Sequence, residues 1–301
     1  MQKRQRPGSK TIAEFLQFFI NGVISGSIYA LVAIGFNIIY STTRIVNFAQ
    51  GEFLMLGGII EYLLLCRHVP IGLSLLVSVI SVAIIGVILH RLFIARTKNA
   101  TELSLIIMTI GISITLRGIV AVAVDKNAHP VKPFLSFQSV TVGGLTFSSQ
   151  YLIVIFAMLA LSISLFFYMK RTLKGRIMRG VSMNALAARL FGIDVESVQM
   201  ASFALSGFIG ALAGAVIAPI SFVQYDMGLM FGLKGFAACV VGGFGNNSGA
   251  IAGGLIIGIA ESLAAGYVSS SYKDLIAFLI MILVLFIKPS GLFSSKDVER
   301  V

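Results

Sequence analysis

Two polar stretches interrupt an otherwise apolar chain, and a third, basic stretch lies between two apolar runs. The first, NFAQGE, brings Asn47, Gln50 and Glu52 together around Gly51. The second, GGFGNNSGAIAGG over Gly242–Gly254, offers Gly242, Gly243 and Gly245 as helix breakers. Each is read as a helix break at membrane depth, where free backbone survives only against protein or a water-filled cavity. Helix ends there present partial charges to a charged solute, so these six residues are the candidate lining of a substrate pathway. The alternative is that both stretches are packing kinks of small residues. The third stretch, MKRTLKGRIMRGVSMNALAARLFGID over Met169–Asp194, carries Arg176, Arg179, Ala187, Ala188, Arg189 and Gly192. Ser182–Phe191 lacks Gly and Pro and is rich in Ala and Leu, which predicts a short amphipathic helix. Ser182 or Asn184 would cap its start and Gly192 its end. Such a helix either rests on lipid headgroups or docks a cytoplasmic partner.

Other reactive residues are scattered. Glu52, Glu61, Glu261 and Arg117 would be costly facing lipid and must face protein or a cavity. Arg117 is expected to pair with a carboxylate of a neighbouring span, while Glu61 and Glu261 suit positions near the interfaces. His68, His90 and His129 are isolated, and Cys66 and Cys239 lie in apolar surroundings, so neither a metal site nor a disulfide framework is expected. The chain has no paired catalytic acids, HExxH or nucleophile motif. A GxxxxGK[ST] phosphate loop is also missing, so any ATP hydrolysis belongs to another polypeptide. No catalytic, cofactor or metal role is assigned.

The elements that position these residues follow from composition. The 301 residues are 57% hydrophobic and 12% charged, with mean hydropathy +0.96; soluble domains carry about 25% charged residues. The apolar runs are continuous rather than alternating, which excludes a β-barrel. The predicted fold is an all-α polytopic membrane protein of eight to nine transmembrane helices with broken or half-inserted helices. Spans are expected at Phe15–Tyr40, up to Cys66, Ile71–Ile94, Leu103–Val124, Tyr151–Met169, Met200–Ile220, Leu255–Val268 and Leu275–Ile287, with Phe231–Val241 a short segment interrupted by Lys234. Residues 1–14 form a polar basic tail and 125–150 an external loop with a β-branched SVTVGG piece suited to a short hairpin. Residues 170–199 form a cytoplasmic loop and 288–301 a cytoplasmic tail. The net charge of +11 sits at the ends of apolar runs, as topology signals do, which argues against nucleic-acid binding. Nine crossings place Arg44, Arg91, Arg96, Lys98, Lys170–Arg179 and Lys288 in the cytoplasm and the N-terminal tail outside, whereas a re-entrant broken segment would return the tail, with Lys3, Arg4, Arg6 and Lys10, to the cytoplasm.

The chain resembles the LivH-type permease of branched-chain amino acid importers. The resemblance rests on NGVISGSIYALVAIGFNIIY (Asn21–Tyr40), VNFAQGEFLMLGG (Val46–Gly58), KGFAACVVGGFG (Lys234–Gly245), GAIAGGLIIGIAE (Gly249–Glu261) and YKDLIAF (Tyr272–Phe278), in order along nearly the whole chain. Ala187-Ala188 followed by Gly192 is similar to the coupling-loop core of permeases, although Leu186 stands where the wider superfamily often has Glu. Gln50 stands where relatives often have His, and cannot titrate. The resemblance implies a multi-pass subunit of the bacterial inner membrane, half of an ATP-driven translocation path. It also implies two cytoplasmic ATPase subunits docked on the 170–199 loop, a second related permease and an extracytoplasmic substrate-binding protein. The rival reading is a stand-alone secondary transporter of small polar solutes.

Overall fold

A computed structural model describes residues 7–97, 101–135, 139–142 and 145–293. Lys3, Arg4 and Arg6, Lys98, the glycines of SVTVGG and the tail beyond 293 lie outside the described residues. In chain order the helices are α1 (Pro7–Thr43), α2 (Gln50–Cys66), α3 (Ile71–Leu89, extended by a π turn His90–Ile94), α4 (Glu102–Ala123), α5 (Ser149–Arg171), α6 (Leu173–Met183), α7 (Ala185–Leu190), α8 (Val195–Ser221), α9 (Met227–Gly242), α10 (Asn247–Tyr267) and α11 (Lys273–Ile287). Between α4 and α5 the connection folds into one antiparallel hairpin, β1 (Ser139–Val142) with β2 (Leu145–Ser148), in the register Ser139↔Ser148 to Val142↔Leu145.

Among the described residues seven helical segments are long and apolar enough to cross a membrane, the last of them α11 together with the short turn Ser270–Tyr272 before it. The shorter α2 and α9, of 17 and 16 residues, reach only ~25 Å at 1.5 Å per residue, against a hydrocarbon layer of about 30 Å. Helix α1 starts well before the expected span, so helix continues into the polar N-terminal stretch. Helix α8 likewise runs two residues past Pro219 to Ser221.

Burial separates an inner set of helices from an outer one. The apolar windows of α1 and α8 are 89% and 67% buried, those of α3, α4, α5 and α11 only 28, 28, 22 and 11%. The outer helices turn Ile, Leu and Phe side chains such as Ile107, Ile114, Phe156 and Phe286 outward, which is stable only against lipid or another subunit. At the centre small residues bring backbones together, as membrane helix pairs require. A Cβ on Gly22 would lie 2.6 Å from Ile259 Cα, and one on Gly26 2.9 Å from Gly254 O. Serines stitch the contacts: Ser262 Oγ donates to Phe18 O at 2.7 Å, Ser78 Oγ to Gly57 O at 2.7 Å and Ser206 Oγ to Gly35 O at 2.9 Å. Each such bond contributes about 0.6 kcal/mol in a bilayer.

The two ends of the bundle differ in charge. One end gathers the C-terminus of α1, the N-terminus of α8, the α9–α10 turn and α6–α7, through Arg44 Nη2 donating to Ser182 O (2.8 Å) and Gln199 Nε2 to Thr42 O (3.2 Å). Arg44, Lys170, Arg171, Lys174, Arg176, Arg179 and Arg189 lie there, and the positive-inside rule reads such an end as the cytoplasmic one. The opposite end holds the Phe18–Tyr267 ring contact and the His129–Val223 backbone bridge. The N-terminal part of α1 belongs to that opposite end.

Candidate functional site

The chain leaves α1 at the cytoplasmic end and climbs back into the bundle through residues 44–49 before α2 begins. Asn47 organises this climb. Its Oδ1 accepts from Ala49 N (3.2 Å), and its carbonyl accepts from Gln50 N (3.0 Å). Thr109 Oγ1 on α4 accepts from Phe48 N at 3.2 Å. Helix α2 therefore starts inside the protein, with Gln50, Gly51 and Glu52 all buried. Helix α9 starts against it: a Cβ on Gly232 would lie 3.0 Å from Gly51 Cα, and one on Gly228 would crowd Gly51 and approach Glu52 Oε2 at 3.0 Å. Two helix N-termini thus converge, and their partial positive charge favours a carboxylate between them.

That carboxylate is Glu52, 1% exposed. Ser113 Oγ donates to its Oε1 at 2.7 Å, and Arg117 Nε approaches the same oxygen at 3.1 Å, an ion pair angled off hydrogen-bond geometry. Arg117 Nη2 also donates to Ser113 Oγ at 3.4 Å. This is the neighbouring-span pairing expected for Arg117. Glu52 Oε2 has no hydrogen-bond partner among the described residues. Beside the pair lies a cavity of about 260 Å³, walled by Phe36, Phe48, Ile110, Leu229 and Leu233 along with Gly228 and Gly232.

The other pathway candidates sit elsewhere. Gln50 is fully buried between Gly35 and Gly210, accepting from Ser206 Oγ and donating to Ser206 O at 3.4 Å. It locks α2 to α8 and does not line the cavity. Gly242, Gly243 and Gly245 sit apart from this cavity, in the α9–α10 turn near Arg179 and Ser182. Gly242 is the last helical residue, packed on Gly249, and the break spans only residues 243–246. Gly245 turns the chain at φ +88°, a conformation that disfavours a side chain. Asn37 receives the turn: its Oδ1 accepts from Gly245 N (2.6 Å), and its Nδ2 donates to Asn247 Oδ1 (2.9 Å).

A second ionic group, unanticipated from sequence, surrounds Lys234 on α9. Its Nζ lies 2.7 Å from Glu261 Oε1 and 2.7 Å from Asp274 Oδ1, and donates to Tyr29 Oη at 3.3 Å. Tyr29 Oη in turn donates to Glu261 Oε2 at 2.8 Å. Glu261 is therefore inside the bundle rather than near an interface. The signal was available: a lysine inside an apolar segment requires acidic partners, and Glu261 and Asp274 are the acidic residues of the last two helices. Glu61 is also internal, with Ser74 Oγ donating to its Oε1 at 2.8 Å.

The basic stretch forms two helices rather than one. Thr172 Oγ1 accepts from Gly175 N (3.0 Å) to start α6, and Asn184 Oδ1 accepts from Ala187 N (2.9 Å) to start α7. Asp194 Oδ1 accepts from Glu196 N (3.1 Å) and Ser197 N (3.3 Å) to start α8. These bonds hold the Asp194 carboxyl below its ordinary range, Ser197 contributing most. Gly192 closes α7 at φ +79°. Met178 packs into the main core, while Val181, Ala188 and Val195 form a small cluster of their own. Arg176, Arg179 and Arg189 are exposed. So are Met183, Leu186, Leu190 and Phe191, at 84, 70, 83 and 87%, an apolar row that a reading centred on charge passed over. Ala187 is half-buried and Ala188 faces inward.

Seven helical segments long and apolar enough to cross a membrane, packed around internal charged groups, define a polytopic α-helical membrane protein. Residues 18–285 match the family model described as branched-chain amino acid transport system / permease component, and the chain belongs to that family. It is 30% identical over 311 aligned residues to the high-affinity branched-chain amino acid transport system permease protein LivH of Salmonella typhimurium, covering 97% of this chain and 100% of the relative. It is 30% identical to the BraD permease protein of Pseudomonas aeruginosa over 96% of this chain and 99% of that one. The ribose import permease protein RbsC of Haemophilus influenzae is 29% identical over 90% of this chain and 84% of its own length. In fold the chain is similar to one in the structure of PsaBC from Streptococcus pneumoniae in complex with Fab, with TM-score 0.54 and 16% identity over 93% of this chain and 97% of that one. The protein is a multi-pass plasma-membrane permease component.

Proposed function

We propose that this chain forms half of the translocation path of an ATP-driven importer for branched-chain or related small amino acids, and docks an ATPase subunit through residues 170–199. The observation that carries the reading is the exposed row Met183, Leu186, Leu190 and Phe191 on helices anchored to the core. Full burial of one such side chain contributes about 1.5–3 kcal/mol, so covering the row supplies a substantial interface. Arg176, Arg179 and Arg189 around it add charge complementarity and orientation. Because α6 packs on α5 and the end of α1 is tied to Ser182, movement of the docked partner is passed to the spans as a rigid-body shift. The partners are two cytoplasmic ATPase subunits, a second related permease and an extracytoplasmic substrate-binding protein. Substrate class follows from the relatives' names, and the pathway residue with the best geometry is Glu52.

The test is purification from mild detergent followed by reconstitution. Co-purification of ATPase subunits and a second permease, with leucine uptake that requires ATP and is abolished by Leu186→Glu/Leu190→Glu, is the expected result. A chain that purifies alone and moves leucine into liposomes without an ATPase would overturn it in favour of a secondary transporter.

A further inference from the structure

Glu52 and Arg117 are incompletely satisfied by each other. Glu52 is 1% exposed, yet its Oε2, on the Gly228 side of the cavity, has no hydrogen-bond partner. A buried carboxylate oxygen without a donor is costly. Arg117 Nε likewise makes no hydrogen bond, and its one bond runs from Nη2 to Ser113, although a guanidinium carries five donors. Both groups line the same cavity, whose remaining side chains are apolar except Ser113. One wall thus carries a carboxylate and a guanidinium whose Oε2 and Nε are unpaired but shut off from the cavity until the pair opens, and the rest offers Phe, Ile and Leu surface.

We propose that this cavity is a transit subsite for a zwitterionic α-amino acid with a branched apolar side chain. The substrate ammonium donates to Glu52 Oε2, its carboxylate accepts from Arg117, and its side chain lies against Phe36, Phe48, Ile110, Leu229 and Leu233. The inference rests on the importer reading above and names the residues that handle its substrate. Size permits it: one water needs about 10–15 Å³ of such space, so about 260 Å³ leaves room for a small amino acid. Energetics agree as well. The two protein charges partner each other when substrate is absent, so substrate exchanges one set of ionic contacts for another. A near-balanced exchange suits passage and disfavours trapping.

The experiment uses the complete importer in proteoliposomes, supplied with a diazirine analogue of leucine and illuminated during ATP-driven turnover, with adducts mapped by mass spectrometry. Adducts are expected on Phe48, Ile110, Leu229 or Leu233, reduced at least tenfold by excess leucine. The double variant Glu52→Gln/Arg117→Met removes both charges together and leaves none unpaired; its complex, verified by co-purification, is expected to lose these adducts and at least nine-tenths of leucine import. The proposal is overturned if the wild-type complex imports leucine but labels only elsewhere, or if the double variant labels and imports like wild type. Failure of the wild-type complex to import any branched-chain amino acid would instead overturn the importer reading itself.

Discussion

The two buried ionic groups are built from the same kinds of residue and come out differently. Around Lys234, one cation meets two carboxylates and a tyrosine hydroxyl, every contact lies between 2.7 and 3.3 Å, and no polar side-chain atom of Lys234, Tyr29 or Glu261 is left buried without a partner. Around Glu52, one carboxylate oxygen takes both contacts while the other takes none, and a cavity adjoins it. The closed group ties α9 to α1, α10 and α11. The open group sits where two helix N-termini converge beside spare volume. A satisfied network rigidifies, whereas an unsatisfied one is a place where a ligand can gain free energy. The contrast separates a structural lock from a substrate-handling site more sharply than residue type does.

The largest effect that would break the contrast comes from the lock. Lys234→Met strands Glu261 and Asp274 without their cation, and loss of one partner of a buried pair costs about 3–5 kcal/mol. Thermal unfolding in detergent should show a large fall in midpoint, and Lys234→Met/Glu261→Gln should recover most of it. Next comes docking: Leu186→Glu/Leu190→Glu should abolish uptake with no measurable change in the unfolding midpoint, since both side chains are solvent-facing in the isolated subunit. Asn184→Ala removes the cap of α7 at a cost of about 1 kcal/mol, read as faster hydrogen exchange at the Ala187 amide and a partial loss of uptake. The smallest effect is pH-dependent. Since the Asp194 carboxyl is depressed in the folded protein by its bonds to Ser197 and Glu196, its cap is fully present above the ordinary aspartate value of about 3.9. It is lost as pH falls through the lower folded value. Exchange at the Glu196 and Ser197 amides should accelerate only in that acid range, and Asp194→Asn should flatten the dependence.

Much of the fold was legible because membrane burial writes itself into long apolar runs. Span ends at Cys66, Ile71, Ile94 and Ile287 agree with the helices closely, while of the NFAQGE stretch only Asn47–Ala49 is non-helical and Gln50–Glu52 already open α2. The extent of a break was less legible. Gly242–Gly254 has the composition of one long break, yet most of its small residues belong to two tightly packed helices, and only residues 243–246 turn. Composition cannot tell a glycine that bends the chain from one that lets helices touch. Partnerships across the bundle were the other gap. Lys234 meets Asp274 and Tyr29 only once α1, α9 and α11 are assembled, and Gln50, a natural candidate for lining a path, is consumed by Ser206. For Arg117 the requirement of a buried partner was enough to anticipate a carboxylate, and the same reasoning extended to Lys234 would have found the lock.

The most direct measurement sets the two neutralised pairs side by side: ATP-dependent leucine uptake per assembled complex for Glu52→Gln/Arg117→Met and for Lys234→Met/Glu261→Gln. The account predicts at least a tenfold loss in the first and uptake within about twofold of wild type in the second, a free-energy difference of roughly 1 kcal/mol or more between them. Wild-type uptake by the first together with loss in the second would contradict it, and would move substrate handling from the α2–α9 junction to the Lys234 cluster.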